Sequence, residues 1–465
     1  MATSIPDNAL ETILTKFAIP NLKTGQKKIL ECLIDGRDCM AVLPTGYGKS
    51  LPFQMFIPLK RQIDHHFDEK LLVCSPLVSL MQDQVEKLTN IDDITAAYKG
   101  ASAVSDQRIR DGEIDIIYAS PEALIGDPEW RSAIQKLNIS SIVVDEFHTI
   151  ATWGEDTDDS GKKAFRKWFS YIGELRSLFP DANILALSAT CTLNIRKRVK
   201  KVLNLKADTV EISVSPNKPN IKFVISKVHT CIEIAMCWLV DGLNTKQKAF
   251  PRTIIYCRTI KDTACLFQYI TTEIPECVEF VDMYHSLTPS VQKDKIMEGL
   301  RSPTGTLRLV IATSALGMGI DIVSFYSVVV FGLSDTLVDL LQEIGRVGRD
   351  GKPSAALLLY NSYHLRSVGK EVKEITMCTG CRREAIMSSF LNPEDMEKLK
   401  ETTRVHACCD ACATHCACGV CTSLPIEDMF HSIDGCEDAN DSADSDVTVD
   451  YQCISDFDDS FDIDL

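Results

Sequence analysis

The sequence LPTGYGKS, residues 43–50, follows the weakly apolar run CMAVL and precedes LPFQMF, which is typical of a helix. Gly46 and Gly48 allow the backbone to fold closely around phosphates with its N–H groups pointing inward. Lys49 would neutralise β/γ-phosphate charge, and the Ser50 hydroxyl would ligate Mg²⁺. The segment therefore predicts a phosphate-binding loop. A leucine replaces the first glycine of the usual G-x-x-x-x-G-K-[ST] pattern, and an ordinary glycine-rich turn is the alternative.

Short apolar runs alternate with amphipathic segments on the C-terminal side of this loop, as far as residue 360. Such runs are typical of buried parallel strands in βα units. They are LLVCSPL (71–77), IDIIYAS (114–120), SIVVDE (141–146), ILALSAT (184–190), RTIIYC (252–257), LRLVIATS (307–314) and SVVVFG (327–332). Seven strands exceed one compact unit, so we expect two lobes. The proline- and asparagine-containing segment 213–223, SVSPNKPNIKF, is the predicted hinge.

Two further segments carry charged side chains suited to phosphate chemistry. VVDEFH, residues 143–148, ends an apolar run; Asp145 would hold Mg²⁺ through water, and Glu146 would deprotonate the water that attacks the γ-phosphate. In QEIGRVGRDG, residues 342–351, Arg346 and Arg349 would stabilise the transferring phosphoryl group from the second lobe. The alternatives are a charged strand terminus and a solvated basic turn.

Composition limits the class of protein. The 465 residues predict roughly three folding units. No apolar run approaches the roughly 18 residues that span a bilayer, and the N-terminus lacks a signal-peptide pattern, so we expect no membrane partner. The net charge of −16 is concentrated at the C-terminus, where residues 427–465 contain 14 acidic residues and no Lys or Arg. The remaining body is near −2, so the overall charge does not exclude a local basic groove for nucleic acid.

Eight of the nineteen cysteines fall within residues 378–421. In a reducing compartment such a cluster favours metal binding over disulfides. The eight are Cys378, Cys381, Cys408, Cys409, Cys412, Cys416, Cys418 and Cys421. The other eleven are interpreted as small buried hydrophobic residues.

In their order along the chain, these motifs resemble those of the RecQ family of superfamily 2 DNA helicases, over about residues 10–412. TGQ (24–26) is similar to the adenine-recognising motif, which puts Gln26 on the base. The other matches are PTGYGKS with motif I, SPLVSLMQDQV (75–85) with Ia, DEFH with II, SAT (188–190) with III, IIYCRT (254–259) with IV, IATSALGMGID (311–321) with V and QEIGRVGRDG with VI. The resemblance implies nucleotide contacts from Thr45, Gly46, Tyr47, Gly48, Lys49, Ser50, Gly319 and Asp321. It places Gln342, Arg346 and Arg349 on the polar positions of motif VI.

The resemblance implies an α/β fold of two RecA-like lobes with parallel sheets, residues 1–212 and 213–365. A small helical zinc-binding subdomain (366–424) and an acidic, disordered tail (425–465) would follow. The implied activity is ATP- and Mg²⁺-dependent 3′ to 5′ translocation on single-stranded DNA, with branched DNA as a further substrate, in repair and recombination. IRKRVKK (195–201) is a candidate nuclear signal or a solvated helix face, so the nucleus is expected and the cytoplasm is the alternative. The tail is a candidate site for a protein partner.

Zinc ligands also follow from the resemblance. Cys381, Cys409 and Cys412 are assigned with Cys408 as the fourth ligand, and His406 is the competitor for that position. Cys416, Cys418 and Cys421 are left as part of a second site or as redundant thiols.

The sequence departs from the family at several positions. Ile19 and Lys23 stand where the family usually has Tyr and Arg, and Phe147 replaces a small residue. The acidic insertion 155–165 interrupts the aromatic-rich loop before Arg-Lys-Trp-Phe (166–169), which either stacks on bases or covers core aromatics. We also expect no room for a winged-helix domain. Two alternatives to a helicase therefore stay open: a DNA-stimulated ATPase or translocase that does not separate strands, and a non-hydrolysing nucleic-acid-binding scaffold.

Overall fold

The computed structural model of the chain describes residues 5–65, 67–153, 166–317 and 322–416. Within these ranges the chain forms two α/β lobes followed by a small helical segment that carries a cysteine cluster. The predicted fold class is therefore confirmed. No helix in the described residues is long and apolar enough to cross a bilayer.

Lobe 1 is built on a parallel sheet of seven described strands in the order β3-β4-β2-β5-β6-β1-β7. The strands are β1 (Cys39–Val42), β2 (Lys70–Cys74), β3 (Ala96–Tyr98), β4 (Ile116–Ala119), β5 (Ile139–Val144), β6 (Asn183–Ser188) and β7 (Val210–Ser213). Its helices are α1 (Asp7–Lys16), α2 (Thr24–Ile34), α3 (Leu51–Ile63), α4 (Val78–Thr89), α5 (Ala103–Arg110), α6 (Pro121–Gly126), α7 (Pro128–Ile134), α8 (Thr149–Trp153), α9 (Glu174–Leu178) and α10 (Leu193–Val202). A 3-10 turn covers Lys167–Tyr171.

Lobe 2 is a parallel sheet of six described strands in the order β10-β11-β9-β12-β13-β8. The strands are β8 (Ile221–Lys227), β9 (Thr253–Cys257), β10 (Val281–Tyr284), β11 (Leu309–Ala312), β12 (Ser327–Phe331) and β13 (Ser354–Tyr360). Its helices are α11 (Ile232–Lys246), α12 (Ile260–Glu273), α13 (Ser290–Arg301) and α14 (Leu337–Ile344). Short 3-10 turns lie at Gln247–Ala249, Pro275–Glu279, Ser314–Leu316 and His364–Arg366.

The cysteine module, described over residues 366–416, packs against the edge strand β8 of lobe 2. It contains α15 (Lys370–Met377), α16 (Arg382–Met387), α17 (Pro393–Thr402), a 3-10 turn (Val405–Ala407) and α18 (Asp410–Ala413). The Phe223 N–H in β8 donates to the Cys408 carbonyl at 3.1 Å, and Phe223 forms an isolated parallel bridge with Cys409. The module thus continues the hydrogen bonding of the lobe 2 sheet by one step.

Both sheets are buried on both faces, which explains the near-continuous apolar runs in the sequence. In β1, for example, Met40 and Val42 belong to one core cluster and Cys39 and Ala41 to the cluster on the opposite face. All seven strands expected from apolar runs are present. Six more, β1, β3, β7, β8, β10 and β13, were not assigned from the sequence. β3, β7 and β10 include partly exposed residues, so their apolar signal is weaker.

The topology places three polar segments at one edge of the lobe 1 sheet. Strands β5, β6 and β1 are neighbours, and all are parallel. Their carboxyl ends lead into residues 145–148, 188–190 and 43–50, respectively. In open α/β sheets ligands bind in the crevice outside the carboxyl ends of the strands. This edge therefore carries the candidate ligand-binding site.

Candidate nucleotide-binding cleft and cysteine centre

The phosphate loop, residues 43–50, has the backbone that its glycines predict. Gly46 and Gly48 have φ angles of 82° and 85°, which disfavour residues with a side chain. The Gln26 side chain in α2 lies against this loop, where its Nε2 donates to the Tyr47 and Gly48 carbonyls at 3.0 and 3.1 Å. Its Oε1 accepts from the Lys23 N–H at 2.8 Å. The residue predicted to recognise adenine is thus fixed beside the loop that holds Thr45.

Lys49 and Glu146 form a partly buried ion pair across the cleft edge, with 2.7 Å between Nζ and Oε1. Glu146 adopts a positive φ of 49°, which is unusual for a residue with a side chain and occurs often at functional sites. Burial acts to raise the pKa of Glu146, but the positive charge and hydrogen bond of Lys49 outweigh it and hold the pKa below its usual range. Glu146 is therefore ionised at neutral pH.

The neighbouring Asp145 is in the opposite electrostatic situation. Burial first, and the negative charge of Glu146 second, raise its pKa to about 6. Asp145 accepts a hydrogen bond from the Glu146 N–H at 3.0 Å. Two adjacent carboxylates share one lysine, so a further cation would relieve their repulsion. This donor set fits Mg²⁺, whose ligands are hard oxygens.

The predicted Mg²⁺ ligand Ser50 is bonded by a glutamine of α4, which a second glutamine, on α3, bonds in turn; neither glutamine was predicted as a site residue. Gln84 Nε2 donates to the Ser50 hydroxyl at 3.0 Å. Gln54 Nε2 in turn donates to Gln84 Oε1 at 2.5 Å. Since α4 contains most of the SPLVSLMQDQV segment, this chain of bonds links that segment to the phosphate loop.

A polar network crosses from lobe 1 to lobe 2. Ser188 donates its hydroxyl proton to the Thr190 carbonyl at 2.9 Å, so Ser188 Oγ accepts from His148 Nδ1, also at 2.9 Å. His148 Nε2 then accepts from Gln342 Nε2 at 3.0 Å. Gln342, on α14 of lobe 2, also donates to the Thr190 hydroxyl at 3.3 Å. The structure therefore connects the DEFH, SAT and QEIGRVGRDG segments through buried side chains; His148 was the signal missed in the sequence.

The two predicted arginines lie on the arginine loop, which we define as residues 345–352 after α14. Arg346 is buried and Arg349 is partly buried. Gly348 between them has a φ of 58°. The predicted nucleotide contacts Gly319 and Asp321 lie outside the described residues.

The cysteine cluster has the composition and spacing of a zinc site. The ligand atoms of Cys381, Cys408, Cys409 and Cys412 all lie within 4.8 Å of one another. Tetrahedral zinc with 2.3 Å bonds to sulfur places its sulfurs about 3.8 Å apart. The Arg382 and Cys412 N–H groups each donate to Cys409 Sγ at 3.4 Å, which suits a thiolate. The four thiols therefore fit a structural zinc ion.

His406 lies elsewhere in the cysteine module. Its Nδ1 is 3.8 Å from Cys416 Sγ, and it is not part of the four-thiol group. Among the described residues the geometry thus favours Cys408 as the fourth ligand. Cys418, Cys421 and the acidic tail lie outside the described residues.

The basic and aromatic residues after the acidic insertion are largely engaged within lobe 1. Arg166 forms a bidentate ion pair with Glu122 and donates to the Pro76 carbonyl. Phe169 is buried beneath the Arg166 guanidinium, and Trp168 packs on Gly126. These contacts favour the core interpretation for Phe169. The insertion itself, residues 155–165, lies outside the described residues.

Comparisons with known proteins agree with this geometry. Residues 23–198 match the DEAD/DEAH box helicase family, and residues 230–351 match the helicase conserved C-terminal domain. The chain is 32% identical over 357 residues to the "Probable ATP-dependent DNA helicase RecS" of Bacillus subtilis, covering 75% of this chain and 66% of the relative. It is 29% identical over 362 residues to "ATP-dependent DNA helicase RecQ" of Pasteurella multocida, covering 77% of this chain and 52% of the relative.

Among solved structures, the DUF1998 helicase MrfA bound to DNA is similar with a TM-score of 0.62 and 19% identity. The alignment covers 86% of this chain and 61% of that one. At this identity the similarity shows the fold. The chain spans between half and two thirds of the length of the Bacillus subtilis and Pasteurella multocida relatives.

We predict that the purified chain binds about one zinc ion through four sulfurs. Cys409→Ser or Cys412→Ser should lose most of the metal, as measured by atomic emission, and should unfold at a lower temperature because metal binding contributes directly to folding. His406→Ala is the matched control and should retain its zinc. Zinc loss in His406→Ala, with zinc retained in the cysteine variants, would contradict the ligand set.

We also predict a pH-dependent stability from Glu343, beside Gln342. Burial raises the pKa of Glu343 to about 8, although a hydrogen bond from the Ser334 hydroxyl lowers it. The folded state therefore keeps a proton that the unfolded state releases near pH 4.5. The stability that this retained proton gives to the folded state is complete below pH 4.5, and it is lost as the pH rises through about 8.

Glu343→Gln should remove the loss of folding stability at high pH. Its stability advantage over the wild type should grow between pH 5 and pH 8, to the order of 1–3 kcal/mol in denaturant unfolding. Glu374→Gln, on an exposed helix face, is the control and should change nothing. An advantage that does not change with pH would refute the assignment.

Proposed function

The chain belongs to the RecQ type of superfamily 2 helicases, and from the geometry of its cleft we propose that it is an ATP-dependent DNA helicase. The observation that carries the proposal is the convergence of Lys49, Asp145 and Glu146 at one sheet edge, with Gln342 of lobe 2 bonded into the same network. Two carboxylates beside a phosphate-loop lysine suit phosphoryl transfer to water.

The ion pair between Lys49 and Glu146 suggests how nucleotide binding prepares the site. An arriving γ-phosphate competes with Glu146 for the Lys49 ammonium. Once Lys49 bonds to the phosphate, Glu146 loses the partner that depresses its pKa and becomes a stronger base. It would then accept a proton from the attacking water.

The remaining charge on the phosphates is handled by residues of both lobes. Ser50 and Asp145 would hold Mg²⁺, which supplies positive charge to the β- and γ-phosphate oxygens. Arg346 and Arg349 would bind the transferring phosphoryl group from lobe 2, since a planar guanidinium matches its oxygens. Gln26 would contact the adenine.

Movement would follow from the lobe-to-lobe network. Gln342 bonds to His148 and Thr190, which lie beside Glu146 and at the end of β6. Only two side chains, Glu146 and His148, therefore separate the proposed γ-phosphate position from Gln342 of lobe 2. An interface that can adopt two arrangements converts ligand binding into domain motion. We propose that this motion drives 3′ to 5′ translocation on single-stranded DNA and acts on branched DNA.

The biological setting is proposed on the same family grounds. Repair and recombination would take place in the nucleus, with IRKRVKK as the candidate signal. In the structure this segment lies on α10, where Lys200 pairs with Glu211 and Val199 is buried. A solvated helix face therefore remains an alternative role. A basic protein partner is proposed for the acidic tail.

A second function, a DNA-stimulated ATPase that does not separate strands, is favoured by one observation. Arg166 and Phe169, which the sequence offered for base stacking, are occupied by contacts within lobe 1. An unwinding assay on a duplex with a 3′ single-stranded extension separates the two functions. Strand release beside hydrolysis supports the helicase, and hydrolysis without release supports the alternative.

We predict that Lys49→Ala and Glu146→Gln each lower steady-state ATP turnover by at least about 10²-fold, because one loses the phosphate-binding cation and the other the general base. ADP binding should weaken in Lys49→Ala and persist in Glu146→Gln. Glu113→Gln, at a half-exposed ion pair of lobe 1, is the matched control and should hydrolyse ATP normally. Turnover in Glu146→Gln within twofold of the wild type would refute the role of Glu146 as general base, whereas no turnover in the wild type would leave the scaffold hypothesis.

A further inference from the structure

The connector between the lobes, residues 214–220, lies between the arginine loop and the cysteine module. Strand β7 ends at Ser213 and β8 begins at Ile221. The side chains of Lys218 and Asn220 donate to the arginine loop. The Asn217 side chain and the Lys218 carbonyl accept from the cysteine module. The connector is therefore in contact with two parts of the chain that are far from it in sequence.

Lys218 fixes the backbone on either side of Arg346. Its Nζ donates to the Gly345 carbonyl at 2.7 Å and to the Val347 carbonyl at 3.2 Å. Burial, followed by the positive charges of Arg349 and Arg346, lowers the pKa of Lys218 to about 8. A lysine placed beside two arginines is electrostatically costly, so these carbonyl bonds compensate for an unfavourable location.

Asn220 fixes the next part of the same loop. Its Nδ2 donates to the Gly348 carbonyl at 2.9 Å and to the Lys352 carbonyl at 2.7 Å. A Cβ on Gly348 would lie 2.5 Å from this nitrogen and 2.5 Å from Ser354 Oγ. The backbone on both sides of Arg349 is thus held at close range by the connector.

Arg383 of the cysteine module holds the connector from the opposite side. It is 1% exposed, and its guanidinium stacks on the Phe223 ring at 4.7 Å. Its Nη1 donates to Asn217 Oδ1 at 2.6 Å and to the Lys218 carbonyl at 2.9 Å. Its Nη2 donates to the carbonyls of Ile221, Ala407 and Cys408. One buried side chain therefore bonds both the connector and the backbone of a cysteine in the metal-binding group.

The cysteine module also contacts lobe 1. The Leu193 N–H, at the start of α10, donates to the Ser389 carbonyl at 3.0 Å. Arg196 donates to the Phe390 carbonyl at 3.5 Å. Leu193 follows the SAT segment by three residues. The cysteine module is therefore anchored beside the cleft edge of lobe 1 as well as on lobe 2.

We propose that Arg383, Lys218 and Asn220 are positioning residues that hold the arginine loop in the orientation needed for ATP hydrolysis, so that the cysteine module sets the placement of Arg346 and Arg349. The inference rests on the proposed ATPase function. Lys218 joins the two sides, because its carbonyl accepts from Arg383 while its ammonium donates to the arginine loop. A shift of the module is thereby passed to the arginines through one residue.

The test compares Lys218→Met and Asn220→Asp with the wild-type full chain. Both variants remove the donors to the arginine loop without removing an arginine. We expect kcat for ATP to fall about 10- to 100-fold, while the Kd for ADP and the Tm stay close to those of the wild type. Lys218→Arg, which keeps donors for two carbonyls, should recover most of kcat. Lys398→Met, on the exposed α17, is the matched control and should match the wild type.

A double-variant cycle distinguishes positioning from a general structural role. If Lys218 acts through Arg346, whose flanking carbonyls it bonds, Lys218→Met should cause little further loss of kcat in an Arg346→Ala background, since effects of residues that act as a unit are not additive. Additive losses, or kcat values within twofold of the wild type in both connector variants, would overturn the inference while leaving ATP hydrolysis intact. If the wild type itself does not hydrolyse ATP, the proposed function fails, and the inference fails with it.

Discussion

The ion pair between Lys49 and Glu146 is the interaction on which the organisation of the cleft depends. It joins the phosphate loop after β1 to the carboxylates after β5, two strands separated in the sheet by β6. Burial first, and the repulsion from Glu146 second, raise the pKa of Asp145 at this edge. A single lysine compensates for that repulsion only in part, which leaves negative charge that a cation such as Mg²⁺ would offset.

The second organising feature is the contact between lobes. Gln342 reaches His148 and Thr190 of lobe 1 by its side chain, while the arginine loop that follows it is held by the connector. Arg383 and the contacts of Ser389 and Phe390 then attach the cysteine module to both lobes. The three parts of the described chain thus meet around one cleft. A metal-stabilised module in this position would restrict the relative placement of the lobes as well as stabilise its own fold.

Much of the architecture was predictable from the sequence, because motifs made of neighbouring residues carry their own signal. The LPTGYGKS loop, the adjacent Asp145 and Glu146, and the long apolar runs of buried strands are of this kind. β3 and β7 escaped prediction because short, partly exposed strands lack such runs. The residues that support the arginine loop were harder to predict than these strands. Nothing near Arg383 in the sequence indicates that its partners are Asn217 and Lys218, which only tertiary packing brings to it.

We propose that ATP hydrolysis in this chain is coupled to single-stranded DNA. The most direct measurement is the steady-state rate of phosphate release by the wild-type full chain, titrated with a single-stranded oligonucleotide. We expect a low basal rate that rises at least about tenfold and saturates with DNA, as expected when DNA binding closes the cleft around the nucleotide. A rate that does not respond to DNA at any concentration would contradict the coupling, and no hydrolysis with or without DNA would contradict the motor itself.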